Sequence, residues 1–331
     1  MPCGRRQNHT IRRRRPNLPP VTEFVNGGLK YQVTGADTVS VIRSYSVTGA
    51  VSIPATVTEG GVTYRVTEIA EFAFEGNSHI TSLSLDHASN LTRIGMDAFI
   101  SCTNMSGTVR IPASVSRIED AAFLNSRITG LDLGGADSLT FIGDSAFSQC
   151  GDLIGTVSIP SEVTEIGDYA FAESGITGLD LGGADSLTYI GSHAFWFCNS
   201  LTGTVRIPPA VTEIGDYAFF RSGITGLDLS GADSLREVGP KAFGSCGGLT
   251  GTADIPASVT GIGAAAFDGT GITGAVIRGR LTSIGTNAFP HNIPIHCSDP
   301  HTQLLVNEML QNADLPTASW DGRDDVPPAR W

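Results

Sequence analysis

Ile159-Pro160-Ser161-Glu162-Val163-Thr164-Glu165-Ile166-Gly167-Asp168-Tyr169-Ala170-Phe171 decides the fold, because the chain writes this phrase again at a fixed interval. It recurs at Ile207–Phe219, at Ile255–Phe267 and, with departures at Ser116 and Glu119, at Ile111–Phe123. Its closing Ala-Phe marks ten positions: Phe74, Phe99, Phe123, Phe147, Phe171, Phe195, Phe219, Phe243, Phe267 and Phe289. Successive spacings are 25, then 24 seven times, then 22. A constant period in this range predicts a solenoid, in which each repeat buries its apolar residues against its neighbours.

Between these copies lies a second version of the phrase. Gly178-Leu179-Asp180-Leu181-Gly182-Gly183-Ala184-Asp185-Ser186-Leu187-Thr188-Tyr189-Ile190-Gly191 leads to Ala194-Phe195 and Cys198. Gly130–Cys150 and Gly226–Cys246 match it, giving a super-period of 48. Val157-Ser158-Ile159 and Leu179-Asp180-Leu181 each predict one short strand per repeat, outer residues inward and middle residue outward. Val163 and Ile166, or Leu187 and Ile190, form a second inward pair. Asp144, Asp168 and Asp216 then stand where a side chain caps a single helical turn carrying the buried Ala-Phe. Strand centres 110, 132, 158, 180, 206 and 228 alternate between spacings of 22 and 26. The Leu-Asp-Leu repeats therefore carry the longer arc, through Gly-Gly-Ala-Asp-Ser, and ridge one edge on every second rung. The expected class is an α/β repeat solenoid of the leucine-rich repeat kind: short parallel strands on one face, short helical turns or loops on the other, and a β-rich N-terminal cap.

Composition agrees. The 331 residues include 40 glycines, are 40 % hydrophobic and only 16 % charged, enough for a continuous core. Net charge is −12. Arg5, Arg6, Arg12, Arg13, Arg14 and Arg15 give residues 1–20 a charge of +6 and leave −18 on the rest. No nucleic-acid binding is expected of such a body, and the Arg run reads as a solvated, disordered tail. No stretch is long and apolar enough to span a membrane. Pro16-Asn17-Leu18-Pro19-Pro20 stands where a signal peptide would place its apolar region, so this start, read literally, predicts a chain that is not exported.

Four segments follow: a basic tail at 1–20, a β-rich cap at 21–60, the solenoid at 61–296, and a C-terminal helical cap and tail at 297–331. In the cap and across its boundary with the solenoid, Asn26-Gly27-Gly28 and Glu59-Gly60-Gly61 are hairpin turns, and Val39–Val47, Val51–Val57 and Val62–Val66 are β-like runs. Thr302–Asp314 predicts a short amphipathic helix through Leu304, Leu305, Met309 and Leu310.

Candidate sites were weighed by what each residue pattern can do. Cys102, Cys150, Cys198 and Cys246 recur every 48 residues, with Ser126, Ser174, Ser222 and Thr270 at the same station between them. Rungs about 4.8 Å apart put these cysteines about 10 Å from one another. That is beyond the ~7 Å Cα limit of a disulfide and too far for a shared zinc, so the column reads as small buried side chains. On the strand face, Arg110, Asp132, Ser158, Asp180, Arg206, Asp228 and Asp254 stand in single file, which predicts cross-strand ion pairs and offers no catalytic cleft. Asp137, Asp185 and Asp233 read as turn residues rather than calcium ligands. After most Ala-Phe pairs come small or polar residues, but Trp196-Phe197 and Phe220-Arg221 break the rule. Tyr169, His193 and Tyr217 share their rungs. Two readings stand: rings tucked against the core, or a binding hot spot made of Tyr169, Trp196, Phe197, Tyr217 and Phe220.

The phrase Ile-Pro-x-x-Val-Thr-x-Ile-Gly-x-x-Ala-Phe resembles the BspA-type leucine-rich repeat of bacterial and protist surface proteins, and Val51–Phe74 resembles that family's first repeat. The likeness covers roughly residues 22–296. It implies attachment to protein partners, in some members matrix proteins such as fibronectin or fibrinogen, with no catalytic residues and no cofactor. The expected function is a non-catalytic, adhesin-like protein-interaction module at the cell surface or secreted. The alternative, from the start of the chain and the unpaired cysteines, is an intracellular interaction scaffold in the cytoplasm.

Overall fold

The computed structural model describes residues 22–312. The expected basic tail at 1–20 and everything from residue 313 on lie outside the described residues.

Two Gly-Gly turns start the fold. Strand β1 (Glu23–Asn26) and strand β2 (Leu29–Val33) pair antiparallel with Asn26 opposite Leu29, so the hairpin loop is Gly27-Gly28 alone. Both glycines have positive φ (57° and 84°), which a two-residue hairpin of this twist requires. Strand β3 (Thr38–Ile42) pairs antiparallel with β2. Further on are β4 (Gly49–Ser52), β5 (Thr56–Glu59) and β6 (Val62–Ile69). The expected run Val51–Val57 is thus two strands, and Val39–Val47 is strand only to Ile42. β6 pairs antiparallel with β5 and parallel with β3. The cap is therefore hydrogen-bonded directly into the solenoid's main sheet.

That sheet has 14 strands among the described residues and runs from Glu23 to Ile284. Its solenoid members are two-residue strands such as Arg117–Ile118, Phe141–Ile142, Glu165–Ile166, Tyr189–Ile190 and Glu213–Ile214, all parallel and in register. This corrects the expected one strand per repeat. The triplet strands exist, but among the described residues Thr156–Ser158 pairs only with Gly178–Asp180, Thr108–Arg110 only with Gly130–Asp132, and Thr204–Arg206 only with Gly226–Asp228. The reason lies in arc length. The isoleucines 118, 142, 166, 190 and 214 are 24 apart throughout, so their ladder closes at every rung. Triplet strands 22 apart pair, whereas those 26 apart do not. The longer arc is also shared, not concentrated in one edge as expected. Leu181 to Leu187 is two residues longer than Ile159 to Val163, and Cys198 to Val205 is two longer than Ser174 to Leu179.

Of the expected helical turns or loops, the opposite side carries the latter, as tight turns. Ala170 N–H donates to Gly167 O, Ala172 N–H to Tyr169 O and Ser174 N–H to Phe171 O. Two columns of left-handed residues recur there, one at Ser145, Tyr169, His193 and Tyr217 and one at Gln149, Glu173, Phe197 and Arg221. A side chain in this conformation costs about 1–2 kcal/mol. Bonds to the next rung offset it: Tyr169 N–H to Ser192 O (2.8 Å), Phe171 N–H to Ala194 O (2.8 Å) and Glu173 N–H to Trp196 O (2.7 Å). The aspartates also act between rungs. Asp144 Oδ1 accepts from Asp168 N–H at 2.8 Å and Asp168 Oδ1 from Ser192 N–H at 2.7 Å, so each caps its neighbour rather than a helix of its own.

Between the two sides runs the core. The ten phenylalanines stack in one unbroken file, with neighbouring ring centroids 5.0–5.5 Å apart and interplanar angles of 3–17°. Offset stacks of this kind add about 0.5–1.5 kcal/mol per pair beyond burial. In most rungs the Gly after the inward isoleucine makes room for this close approach. A Cβ on Gly191 would lie 2.5 Å from the carbonyl carbon of Gly167, and one on Gly215 would lie 2.6 Å from the amide nitrogen of Ser192.

At the C-terminal end, helix α1 (Pro300–Asn312) begins two residues before its expected start. Asp299 Oδ1 accepts from Thr302 N–H at 3.0 Å, an N-cap followed by Pro at the first helical position. The buried face is Thr302, Val306 and Met309, while Leu304 and Leu310, expected to face the core, are exposed. Thr302 Oγ1 explains the rotation: it donates to Gly279 O and accepts from Leu281 N–H, pinning the helix to the last rungs.

Replacing Gly191 by Ala drives a methyl group into the backbone of the rung before it. The expected loss is about 1–3 kcal/mol, read as a lower denaturation midpoint, whereas Gly183→Ala, in open space, leaves the midpoint near that of the parent chain.

Candidate protein-binding surfaces

The strand face is built from the outward middle residues of the paired triplets. Arg110 lies opposite Asp132 and Arg206 opposite Asp228 in register, with Nε–Oδ2 and Nη2–Oδ2 distances of 3.0 and 2.9 Å. Ser158 Oγ donates to Asp180 Oδ2 at 3.4 Å, and Arg278 grips Asp254 through both Nε and Nη2 at 2.6 and 2.7 Å. The expected cross-strand pairs are thus present, two rungs at a time. Asp228 is held below the usual carboxylate range by Ser230 first and Arg206 second. Such exposed pairs contribute little stability. They leave a ruled surface of alternating charge.

The aromatic residues do meet. Tyr169, His193 and Tyr217 stack in file on the turn side, with centroids 4.4 and 4.8 Å apart and rings within 10° of parallel. Trp196 meets His193 edge-on at 6.2 Å and lies 4.1 Å from Phe197. Phe220 meets Tyr217 edge-on at 5.3 Å. Phe220 is only 6 % exposed, so it supports the ridge from beneath, while Tyr169, Trp196, Phe197 and Tyr217 stay half-buried. Two cations lie on the C-terminal flank. Arg221 sits 5.1 Å from the Phe197 centroid and Lys241 5.0 Å from that of Tyr217. Beside them, Phe220, Lys241, Gly244, Ser245, Ala265 and Asp268 line a recess of about 110 Å³. Three of the ridge's rings share the first left-handed column, so they leave the backbone in one direction and stack.

The sequence reading missed a third surface. Outward residues of the main sheet run Glu68, Arg93, Arg117, Phe141, Glu165, Tyr189, Glu213 in register. Arg93 bridges Glu68 and Glu119, and Arg117 holds Glu119 and lies 4.1 Å from the Phe141 centroid. The Arg117 hydrogen bond foremost, with Arg93, lowers the Glu119 carboxyl. Beside this column Thr140, Thr164, Thr188 and Thr212 each donate a hydroxyl to the carbonyl one rung back, at 3.0–3.1 Å. The signal was present, since these residues precede the Ile-Gly pair at constant spacing.

The cysteine column is as expected: Cys102, Cys150, Cys198 and Cys246 are buried free thiols. Cys150 Sγ donates to Phe123 O at 3.2 Å and Cys198 Sγ to Phe171 O at 3.0 Å, with Ser126 and Ser174 hydroxyls 3.4 and 3.5 Å away. Burial pushes the Cys102 and Cys198 thiols up to about 12 and the Cys150 and Cys246 thiols up to about 11, from an ordinary 9.0. The folded chain therefore keeps protons that the unfolded chain releases above pH 9.0, so stability is full below that pH and falls as pH rises toward about 12. Tyr31, also raised to about 12 by burial, steepens the loss at its upper end. Denaturation midpoints measured across this range fall in the parent chain, and the fall is shallower when all four cysteines are replaced by Ser.

The family model described as the BspA type leucine rich repeat region matches residues 67–184 and 182–296 in 6 copies. Similar solved structures include a leucine-rich repeat protein of T. pallidum (19 % identity, 88 % of this chain and 96 % of that chain, TM-score 0.44). A leucine rich cell surface protein of Faecalibacterium prausnitzii is 20 % identical over 86 % of this chain and 97 % of its own, with a TM-score of 0.41. The pneumococcal vaccine antigen PcpA is 14 % identical over 88 % and 97 %, with a TM-score of 0.38. No curated protein matches the chain. With matched repeats covering well over half of its length, the chain belongs to the BspA-type leucine-rich repeat family.

Proposed function

We propose that the chain is a non-catalytic protein-binding module of the adhesin kind, carried at a cell surface or secreted, that holds host or matrix proteins. Membership of the BspA-type repeat family supports a protein-interaction role. The observation that carries the reading is the aromatic ridge. At stations where other rungs present Ser148, Gln149, Ala172 or Ser245, the middle rungs present Trp196, Phe197 and Arg221 over a buried Phe220. Large rings half-exposed beside an Arg are the residue types that dominate binding hot spots. The strand face, through Arg110, Asp132, Ser158, Asp180, Arg206, Asp228 and Asp254, is the second candidate surface, because its charge order suits recognition more than stability.

The test is an array of immobilised matrix proteins probed with the parent chain, Trp196→Ala and Arg206→Glu. The expected result is capture of at least one matrix protein, weakened by about 2 kcal/mol, or roughly thirtyfold, in Trp196→Ala. Capture unchanged by both substitutions removes both surfaces. Fractionation of the source cells checks the location, and recovery in the envelope or medium is expected.

A further inference from the structure

We infer that the N-terminal flank of the aromatic ridge is a docking site for an arginine-rich extended segment of a partner protein. This rests on the ridge being a partner surface, and it supplies the partner's chemistry.

Three observations converge. First, charge is segregated along the chain. From Arg127 to Arg206 there is no intervening Lys or Arg, against ten acids: Asp132, Asp137, Asp144, Asp152, Glu162, Glu165, Asp168, Glu173, Asp180 and Asp185. Among the described residues, only Asp132 and Asp152 of these ten form ion pairs. Second, the fold gathers acids and rings on one side. Asp168 sits beside Tyr169 in the turn, its Oδ1 accepting from Ser192 N–H and lying 3.5 Å from the Tyr189 hydroxyl. The exposed Glu173 is bonded through its backbone to Trp196. Asp144, one rung earlier, has its carboxyl raised by burial first and then by the Asp120 and Asp168 charges, so an incoming cation relieves existing repulsion. Third, the ridge already uses this mode of contact at its other end, where Arg221 and Lys241 lie over Phe197, Tyr217 and Phe220. The C-terminal flank takes its cations from the chain itself. The N-terminal flank offers similar rings amid acids.

Arginine suits this surface better than lysine. Its guanidinium lies flat on a ring while its five donors reach carboxylates on either side. An extended segment brings alternate side chains to one face at about 6.6–6.8 Å, close to the 6.2 Å between the His193 and Trp196 rings.

The test titrates the full chain with deca-arginine, deca-lysine and deca-glutamate peptides at about 0.15 M ionic strength, where long-range attraction is screened. Deca-arginine is expected to bind, deca-lysine more weakly, and deca-glutamate not at all. Trp196→Ala and, separately, Glu173→Gln weaken deca-arginine by about three- to thirtyfold, while Asp185→Asn, in an exposed loop away from the rings, does not. Glu173→Gln alters only an exposed carboxylate, so its result stands even where Trp196→Ala disturbs folding. Absence of deca-arginine binding, or equal weakening by Asp185→Asn and Glu173→Gln with no effect of Trp196→Ala, overturns the inference. Matrix-protein capture lost in Trp196→Ala but without arginine binding would sink this inference alone and leave the wider reading standing.

Discussion

Backbone meeting backbone at every rung is the constraint from which the other features descend. Rings can stack at 5.0–5.5 Å only if successive turns of the chain lie with nothing between their layers. Gly143, Gly167, Gly191 and Gly215 provide that clearance, since a Cβ at any of them would fall within 2.7 Å of the previous rung. Glu119 alone breaks this column in the central rungs, and there its carboxylate is taken up by Arg93 and Arg117. Once the layers touch, hydrogen bonds between rungs compensate the left-handed residues that the tight turns need, and equivalent side chains line up in columns.

Columns make function possible without a cleft. A residue changed in one rung lies directly beside its counterparts, so five aromatic substitutions scattered over residues 169–220 become one ridge. The same logic turns Arg110 and Asp132, 22 residues apart, into an ion pair, and places Ser126 against Cys150. The core columns are uniform because each must fit the same gap, whereas the outer columns vary. On the proposed reading, recognition is written in that variation.

Periodicity was readable from the chain because it is covalent: counting from Phe to Phe gives the rungs, the buried thiols, and the partners of Arg110 and Arg206. Which segments would be hydrogen-bonded as strands was not. Val157-Ser158-Ile159 has the alternation of a strand and Thr164-Glu165-Ile166 does not, yet the latter builds the continuous sheet. Arc length, a property of whole turns, decides that, and local alternation is blind to it. The aspartates misled for a similar reason. Asp144 looks like a local cap, but its bonding partner is 24 residues away. Leu304 and Leu310 point outward because a single hydroxyl, that of Thr302, fixes the roll of α1, and hydrophobic spacing carries no trace of it. At the ridge, sequence foretold which rings would meet but not their depth, since Phe220 and Trp196 differ only in how the turn seats them.

One consequence concerns the electrostatics of the turn side as a whole. In each central rung three amides there send their hydrogens toward the same end of the molecule, as Tyr169, Phe171 and Glu173 do to Ser192, Ala194 and Trp196. Ordinary strands alternate and their peptide moments cancel; these add. The face behaves as an electret: oxygen-rich and faintly negative near Ala73, where Ser44 of the cap supplies the closing donor, and faintly positive toward Phe289. Its sense is opposite to that of an α-helix, which gathers positive character at its beginning.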